Sequence, residues 1–351
     1  MQPFIYNALP SRVIFGFGTL AQVAEEIRTL GCSRALVLTT PQQRAAGEQL
    51  VAQLGELAVG LYDNATMHTP VEVTRDALSV VERSGADCVV ALGGGSTIGL
   101  GKAIALNTDL PQIVIPTTYA GSEATPIIGQ TENGLKTTQR TLKVLPEVII
   151  YDVELTLSLP AQMTVTSGLN AIAHAVEALY SKDANPLISI LAEQGIAAIG
   201  RALPRIHVDP QDREARSDAL FGAWACGTCL GAVGMSIHHK LCHTLGGSFD
   251  LPHAETHTVV LPHAAAYNAE AAPEAMARIA RALGTDNAAQ GLYDLAAKHG
   301  APTSLAQIGM HEGDVPRAVE IACASPYWNP RPIEPAAIRE LLDNAFNGNR
   351  P

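Results

Sequence analysis

The chain holds 11 histidines, and six of them, His238, His239, His243, His253, His257 and His263, crowd into 26 residues. Uniform scatter would place fewer than one there. His239 and His243 are four apart, so a helix carries both on one face. Asn170 and His174 repeat that spacing upstream, on a helix that Thr166 or Ser167 would open. Two such helices in an Ala/Leu-rich background predict facing walls of one polar site. Imidazoles grouped this way can bind a metal, move protons or attract anions. Gly246 and Gly247 are expected to stop the second helix, leaving His253 in a proline-bounded loop.

A second chemical signal is Gly93-Gly94-Gly95-Ser96, placed between a strand-like run over 88–92 and helical spacing over 97–106. A glycine turn there lets backbone N–H groups and a helix N-terminus meet a phosphate. The turn is neither G-x-G-x-x-G, since Ile98 replaces the third glycine, nor a G-K-[ST] loop. Pro116-Thr117-Thr118 ends the next strand, where hydroxyls reach ligands of an open sheet.

The elements that must position these residues fall into two textures. Strand-like runs over 35–39, 57–62, 88–92, 112–116 and 148–151 alternate with helical stretches such as 71–84. That pitch predicts a parallel sheet with crossover helices. Asn133-Gly134, flanked by 127–131 and 135–138, adds a hairpin. Beyond Leu159-Pro160 only helical spacing remains, over 168–180, 187–203, 214–230, 272–283 and 335–345. The expected organisation is an α/β nucleotide-binding domain over 1–158 and an all-α domain over 159–351. The default active site is the cleft between them.

Composition narrows the function classes. The 351 residues are 47% hydrophobic and 16% charged, which excludes disorder, and carry a net charge of −11. With no basic run, nucleic acid and anionic membranes are not expected partners. No apolar stretch approaches the ~20 residues of a membrane span, and the first residues do not form a signal peptide. Six scattered cysteines are too few for a disulfide framework and point to reduced thiols in a cytoplasmic enzyme. Cys226 and Cys229 form a C-x-x-C without a second pair, which reads as packing.

Taken in order, Gly93–Ser96 with Lys102, Pro116–Thr118 with Gly121-Ser122-Glu123, Asn170-x3-His174, His239-x3-His243 and Pro252-His253 resemble the iron-containing alcohol dehydrogenase superfamily over nearly the whole chain. The segments 93–102, 167–174 and 238–262 resemble more narrowly its branch that reduces maleylacetate. The resemblance implies the dehydroquinate synthase-like fold, a homodimer, and NADH or NADPH as cofactor. It implies that Gly93, Gly94, Gly95 and Ser96 hold the pyrophosphate, and that Thr117, Thr118 and Ser122 line the ribose and nicotinamide. Asn170, His174, His239 and His253 match the Asp and three His that bind metal in metal-using relatives. His243 matches the histidine facing nicotinamide and substrate.

Asn170 departs from the metal-using pattern. An amide cancels no cationic charge, so a divalent ion would keep its full +2 among neutral ligands, and bound metal is expected to be absent. Gly99 replaces a frequent Asp, and 116–123 is one residue shorter than in many relatives. The branch's chemistry agrees: hydride addition to a conjugated enone gives a delocalised enolate that hydrogen-bond donors can stabilise without a Lewis acid. The expectation is a partly cationic pocket of His174, His239, His243 and His253 that attracts a dicarboxylate and yields 3-oxoadipate. Asn170, Lys240, Tyr327 and Arg331 are its expected substrate contacts. Thr39 ends the 35–39 strand where relatives with an Asp bind a ribose hydroxyl, so both NADH and NADPH are expected to serve. The alternatives are a metal-dependent alcohol or glycerol dehydrogenase and a dehydroquinate synthase-like lyase.

Overall fold

The computed structural model describes residues 4–132, 135–325 and 327–351. The chain forms two compact units, one over Ala8–Leu159, the other over Pro160–Pro351 together with the residues before Ala8.

In the first unit, six parallel strands are β1 (Arg12–Gly16), β2 (Ala35–Leu38), β3 (Ala58–Tyr62), β4 (Cys88–Gly93), β5 (Gln112–Pro116) and, last, β8 (Val148–Asp152). They lie in the order β1-β8-β5-β4-β2-β3. Alternate residues bury opposite faces. Val37, Val90, Ile113 and Ile150 meet α1 (Val23–Thr29) and α2 (Arg44–Leu54), while Leu36, Val89, Ala91 and Val114 meet α3 (Val71–Ser84) and α4 (Gly95–Thr108). Burial on both faces explains why β4 and β5 read as continuous apolar runs. The antiparallel pair β6 (Ile127–Glu132) and β7 (Leu135–Arg140) interrupts the pattern as expected. The Asn133-Gly134 turn signal itself lies outside the described residues. Strand β1 was not foreseen: its burial is mixed, because it sits at the sheet edge. Chain direction across the sheet reverses between β2 and β4, where open α/β sheets bind ligands.

The second unit contains α5 (Ala161–Leu179), α6 (Pro186–Val208), α7 (Arg213–Ala232), α8 (Ile237–Phe249), α9 (His253–Asn268), α10 (Pro273–Leu283), α11 (Ala288–Lys298), α12 (Val315–Cys323) and α13 (Pro335–Asn347). Asn185 and Asp212 cap α6 and α7, accepting from the N–H groups of Ile188 (3.1 Å) and Ala215 (3.0 Å). Helix α6 is long and apolar enough to cross a membrane by length and composition, a criterion that buried core helices also meet. It buries one face and ion-pairs Glu193 with Arg281, as a core helix does. Cys226 and Cys229 are buried in α7.

Three expected boundaries are corrected. Helix α5 starts at Ala161 behind Pro160, so Thr166 and Ser167 are interior rather than opening residues. Helix α8 runs through Gly246 and Gly247 and ends at Asp250, which takes the left-handed conformation at φ 54°. Its N-terminal packing against α9 and α12 outweighs the propensity cost of two glycines. His253 is the first residue of α9 behind Pro252, not a loop residue.

Candidate active site

Helix α5 presents Asn170, His174 and Glu177 on one face, all buried. Glu177 was not singled out from sequence, yet it organises the cluster. Its carboxylate accepts from Ser236 N–H (2.9 Å), Ser236 Oγ (2.9 Å), His238 N–H (2.8 Å) and His239 Nδ1 (2.7 Å). Ser236 is the N-cap of α8, so Glu177 sits at the positive end of that helix and caps it from outside. A carboxylate three residues after His174 and on the same face was the available signal.

These contacts set the tautomers. With three of the contacts to Glu177 coming from N–H and O–H donors, His239 Nδ1 is assigned as the fourth donor, which puts its proton on Nδ1. His239 Nε2 then accepts from His174 Nδ1 at 2.9 Å, which gives a chain Glu177–His239–His174. The two helix walls inferred from the four-residue spacings do meet. Burial first, then neighbouring His243, pushes His239 down to about 3. Burial and His239 likewise push His238 down to about 3. His238 and His239 are therefore neutral near pH 7. His243 and His253 are the exposed members of the cluster, and Lys240 beside them is half-buried.

His257, one turn after His253, was also missed. It is 1% exposed and its ring lies 4.3 Å from His253, 4.9 Å from His238 and 5.1 Å from His239. Neither of its ring nitrogens has a hydrogen-bond partner among the described residues. Its backbone oxygen accepts from His238 Nε2 at 3.0 Å.

The buried histidines make stability acid-sensitive. Their folded-state values lie below the unfolded 6.5, so the unfolded chain binds more protons as pH falls. Stability should be flat from these groups above pH 7. It should fall between about 6.5 and 3, on the order of 1 kcal/mol per histidine per pH unit. Urea unfolding at pH 7.5, 6 and 5 checks this, and an unchanged midpoint would refute it.

Of the other expected substrate contacts, Lys240 and Tyr327 come together. Lys240 Nζ lies 5.8 Å from the centroid of the half-buried Tyr327 ring. Arg331 is instead committed to Tyr267, stacking at 4.3 Å and donating to its carbonyl at 3.3 Å. It braces the 327–332 segment, together with Tyr267 OH donating to the Pro332 carbonyl (2.7 Å).

Ring nitrogens of His238, His239 and His257 lie within 4.8 Å of one another, but the set matching the metal ligands of relatives is poorly suited to a divalent cation. Asn170 supplies no charge, and the His239 lone pair that an ion would take already accepts from His174.

In the first unit, Gly94 is the N-cap of α4. A Cβ on Gly93 would strike Thr97 Oγ1 at 2.4 Å, and one on Gly94 would strike Thr118 at 2.9 Å, so both glycines are required by packing. Gly95 differs: it is exposed, and a Cβ there would meet only Ala120 at 3.9 Å. Open space at a helix N-terminus suits a pyrophosphate. Gly95→Val should fold normally yet raise KM for NADH by about 10–100-fold. Normal NADH saturation would make the turn purely structural.

Around this turn, Ser96, Thr118 and Ser122 are partly exposed, and Thr117 accepts from Gln43 Nε2 at 2.9 Å. Buried Lys102 donates to the carbonyls of Thr125 (2.8 Å) and Ile127 (2.8 Å), and to that of Ser122, which shapes the loop carrying Ser122. Thr39 follows strand β2. Its side chain is fully buried, with the methyl against Gly47, whose added Cβ would lie 2.8 Å away, and with Oγ1 lacking a partner among the described residues.

Two family models cover the chain: iron-containing alcohol dehydrogenase over residues 10–153, and the C-terminal part of the Fe-containing alcohol dehydrogenase family over 164–346. A maleylacetate reductase of Rhizobium sp. (strain MTP-10005) is 61% identical across 100% of both chains. One of Burkholderia cepacia is 57% identical, again across 100% of both. The crystal structure of a maleylacetate reductase from Agrobacterium tumefaciens, 61% identical, superposes with a TM-score of 0.97 over 100% of each chain. With both halves matched and full-length relatives above half identity, this chain belongs to the iron-containing alcohol dehydrogenase family.

Proposed function

We propose that this oxidoreductase uses NAD(P)H to reduce the carbon–carbon double bond of maleylacetate, giving 3-oxoadipate. The observation that carries the reading is the Glu177–His239–His174 chain beside Asn170, a hydrogen-bonding site where metal-using relatives place a carboxylate. The full-length similarity to maleylacetate reductases supports the same substrate. Bound NAD(P)H supplies a hydride. Gly94, Gly95 and Ser96 bind its pyrophosphate through backbone N–H groups at the α4 N-terminus, and Thr117, Thr118 and Ser122 orient the rest. Strand β2 leads into Thr39 and Thr40, with no carboxylate to repel a 2′-phosphate, which supports use of both cofactors.

In the helical unit, Glu177 fixes His239 and, through it, His174. Exposed His243 on the same helix face donates a ring N–H to the enolate oxygen as negative charge develops. A proton then reaches the adjacent carbon, so hydride plus proton saturate the double bond. His253 and Lys240 are exposed or half-exposed donors for the substrate carboxylates, and Asn170 is a neutral polar contact. The unpaired cysteines and acidic surface support a cytoplasmic enzyme acting on a small dicarboxylate, and family membership supports a homodimer.

The test is NADH oxidation with maleylacetate, with and without EDTA. Equal turnover in both is expected. Turnover only with added metal, or preference for simple alcohols, would favour the metal-dependent alcohol or glycerol dehydrogenase reading.

A further inference from the structure

At the opposite end of the sheet from the glycine turn, Cys32 precedes β2 and Cys88 begins β4. Asp87 pulls the two segments together. Its carboxylate accepts from the N–H groups of Ser33 (2.9 Å) and Arg34 (2.8 Å), and its own N–H donates to the Arg34 carbonyl (2.9 Å). The β2–β4 register pairs Ala35 with Cys88, and Cys32 Sγ donates to the Asp87 carbonyl at 3.5 Å. One sulfur from each cysteine and one Asp87 oxygen consequently lie within 4.8 Å of one another. Two thiolates on one zinc are about 3.8 Å apart, so little movement is needed to share an ion. Cys88 is fully buried, Cys32 is 8% exposed and Asp87 is half-buried, so an ion arriving from solvent meets the carboxylate and the outer sulfur first.

We propose that Cys32, Cys88 and Asp87 form a binding site for a thiophilic divalent cation of the zinc class. Its charge balance is the reverse of that at the histidines. Two thiolates and a carboxylate sum to −3 against +2, whereas Asn170 and three imidazoles offer no negative charge. Uptake replaces the two thiol protons with two metal–sulfur bonds, releases two H⁺ and changes no oxidation state. Each thiol gives up its proton on binding, so affinity rises with pH. Solvent or Ser33, exposed beside Asp87, completes the coordination.

The probe is Co²⁺ added to the reduced, metal-stripped full-length protein. Wild type should bind one equivalent with a near-ultraviolet thiolate-to-cobalt charge-transfer band and release two protons. Cys32→Ser and Cys88→Ser should each lose the band and weaken binding by about 100-fold or more, with Asp87→Asn weaker by about 10-fold. Cys32 lies at the surface of the core, so its variant reports even if Cys88→Ser folds poorly. His239→Ala should keep the band, and Cys32→Ser should reduce maleylacetate at the wild-type rate. No band in wild type, a band that survives Cys32→Ser, or one that disappears in His239→Ala would each overturn the assignment. So would a reduced chain that binds no cobalt while its air-oxidised form shows a Cys32–Cys88 disulfide.

Discussion

His243→Ala should lower kcat/KM for maleylacetate by about 10²–10³, with KM for NADH nearly unchanged. His243 is the exposed imidazole of α8, its ring 6.2 Å from that of His239, on the face that Glu177 holds in place. A donor to a developing enolate acts in the transition state, so the loss should fall on kcat more than on KM. The pH profile gives a second readout. His238 and His239 are neutral throughout the neutral range, and loss of activity on raising pH through the imidazole range is expected from exposed His243. That limb should vanish in His243→Ala and persist in Lys240→Ala. Full activity of His243→Ala at every pH would refute the role. A larger loss in Lys240→Ala would move the anchor to the ammonium group.

What was legible in the sequence depended on whether a signal was local. The central strands read correctly because burial on both faces demands unbroken apolar runs, as in Cys88–Gly93 and Gln112–Pro116. The meeting of His174 and His239 was also legible, since two four-residue spacings leave little choice of helix face. Edge strand β1 escaped because two of its five residues are exposed and the other three are only half-buried. Gly246-Gly247 misled because tertiary packing of α8 overrides propensity. Glu177 and His257 escaped for a different reason: their roles depend on backbone groups and rings brought from distant helices. A cap supplied to α8 from α5 leaves no mark on the α8 sequence. The protonation state of the cluster was beyond sequence for the same reason, because burial decides it and spacing does not record burial.

Asn170→Asp should convert the histidine cluster from a poor cation site into a competent one. Asn170 is 3% exposed and shares the α5 face with His174 and Glu177, so a carboxylate there would be desolvated unless a cation joined it. An ion would relieve that cost, and also displace the His174 proton now resting against His239 Nε2. Two to three kcal/mol of added attraction corresponds to roughly 30–150-fold tighter binding of Zn²⁺ or Fe²⁺. Wild-type turnover should survive EDTA, whereas the variant should acquire a metal content sensitive to His239→Ala. The thiol pair complicates any simple metal assay, since an ion at Cys32 and Cys88 would be counted as if it were catalytic. The titration therefore belongs in a Cys32→Ser background, where metal that remains reports on the histidines. Unchanged affinity in Cys32→Ser/Asn170→Asp would show that the missing charge is not what keeps a cation from this cluster. Stoichiometric metal with EDTA-sensitive turnover in Cys32→Ser alone would show that the imidazoles hold an ion despite Asn170, and would return the site to Lewis-acid chemistry.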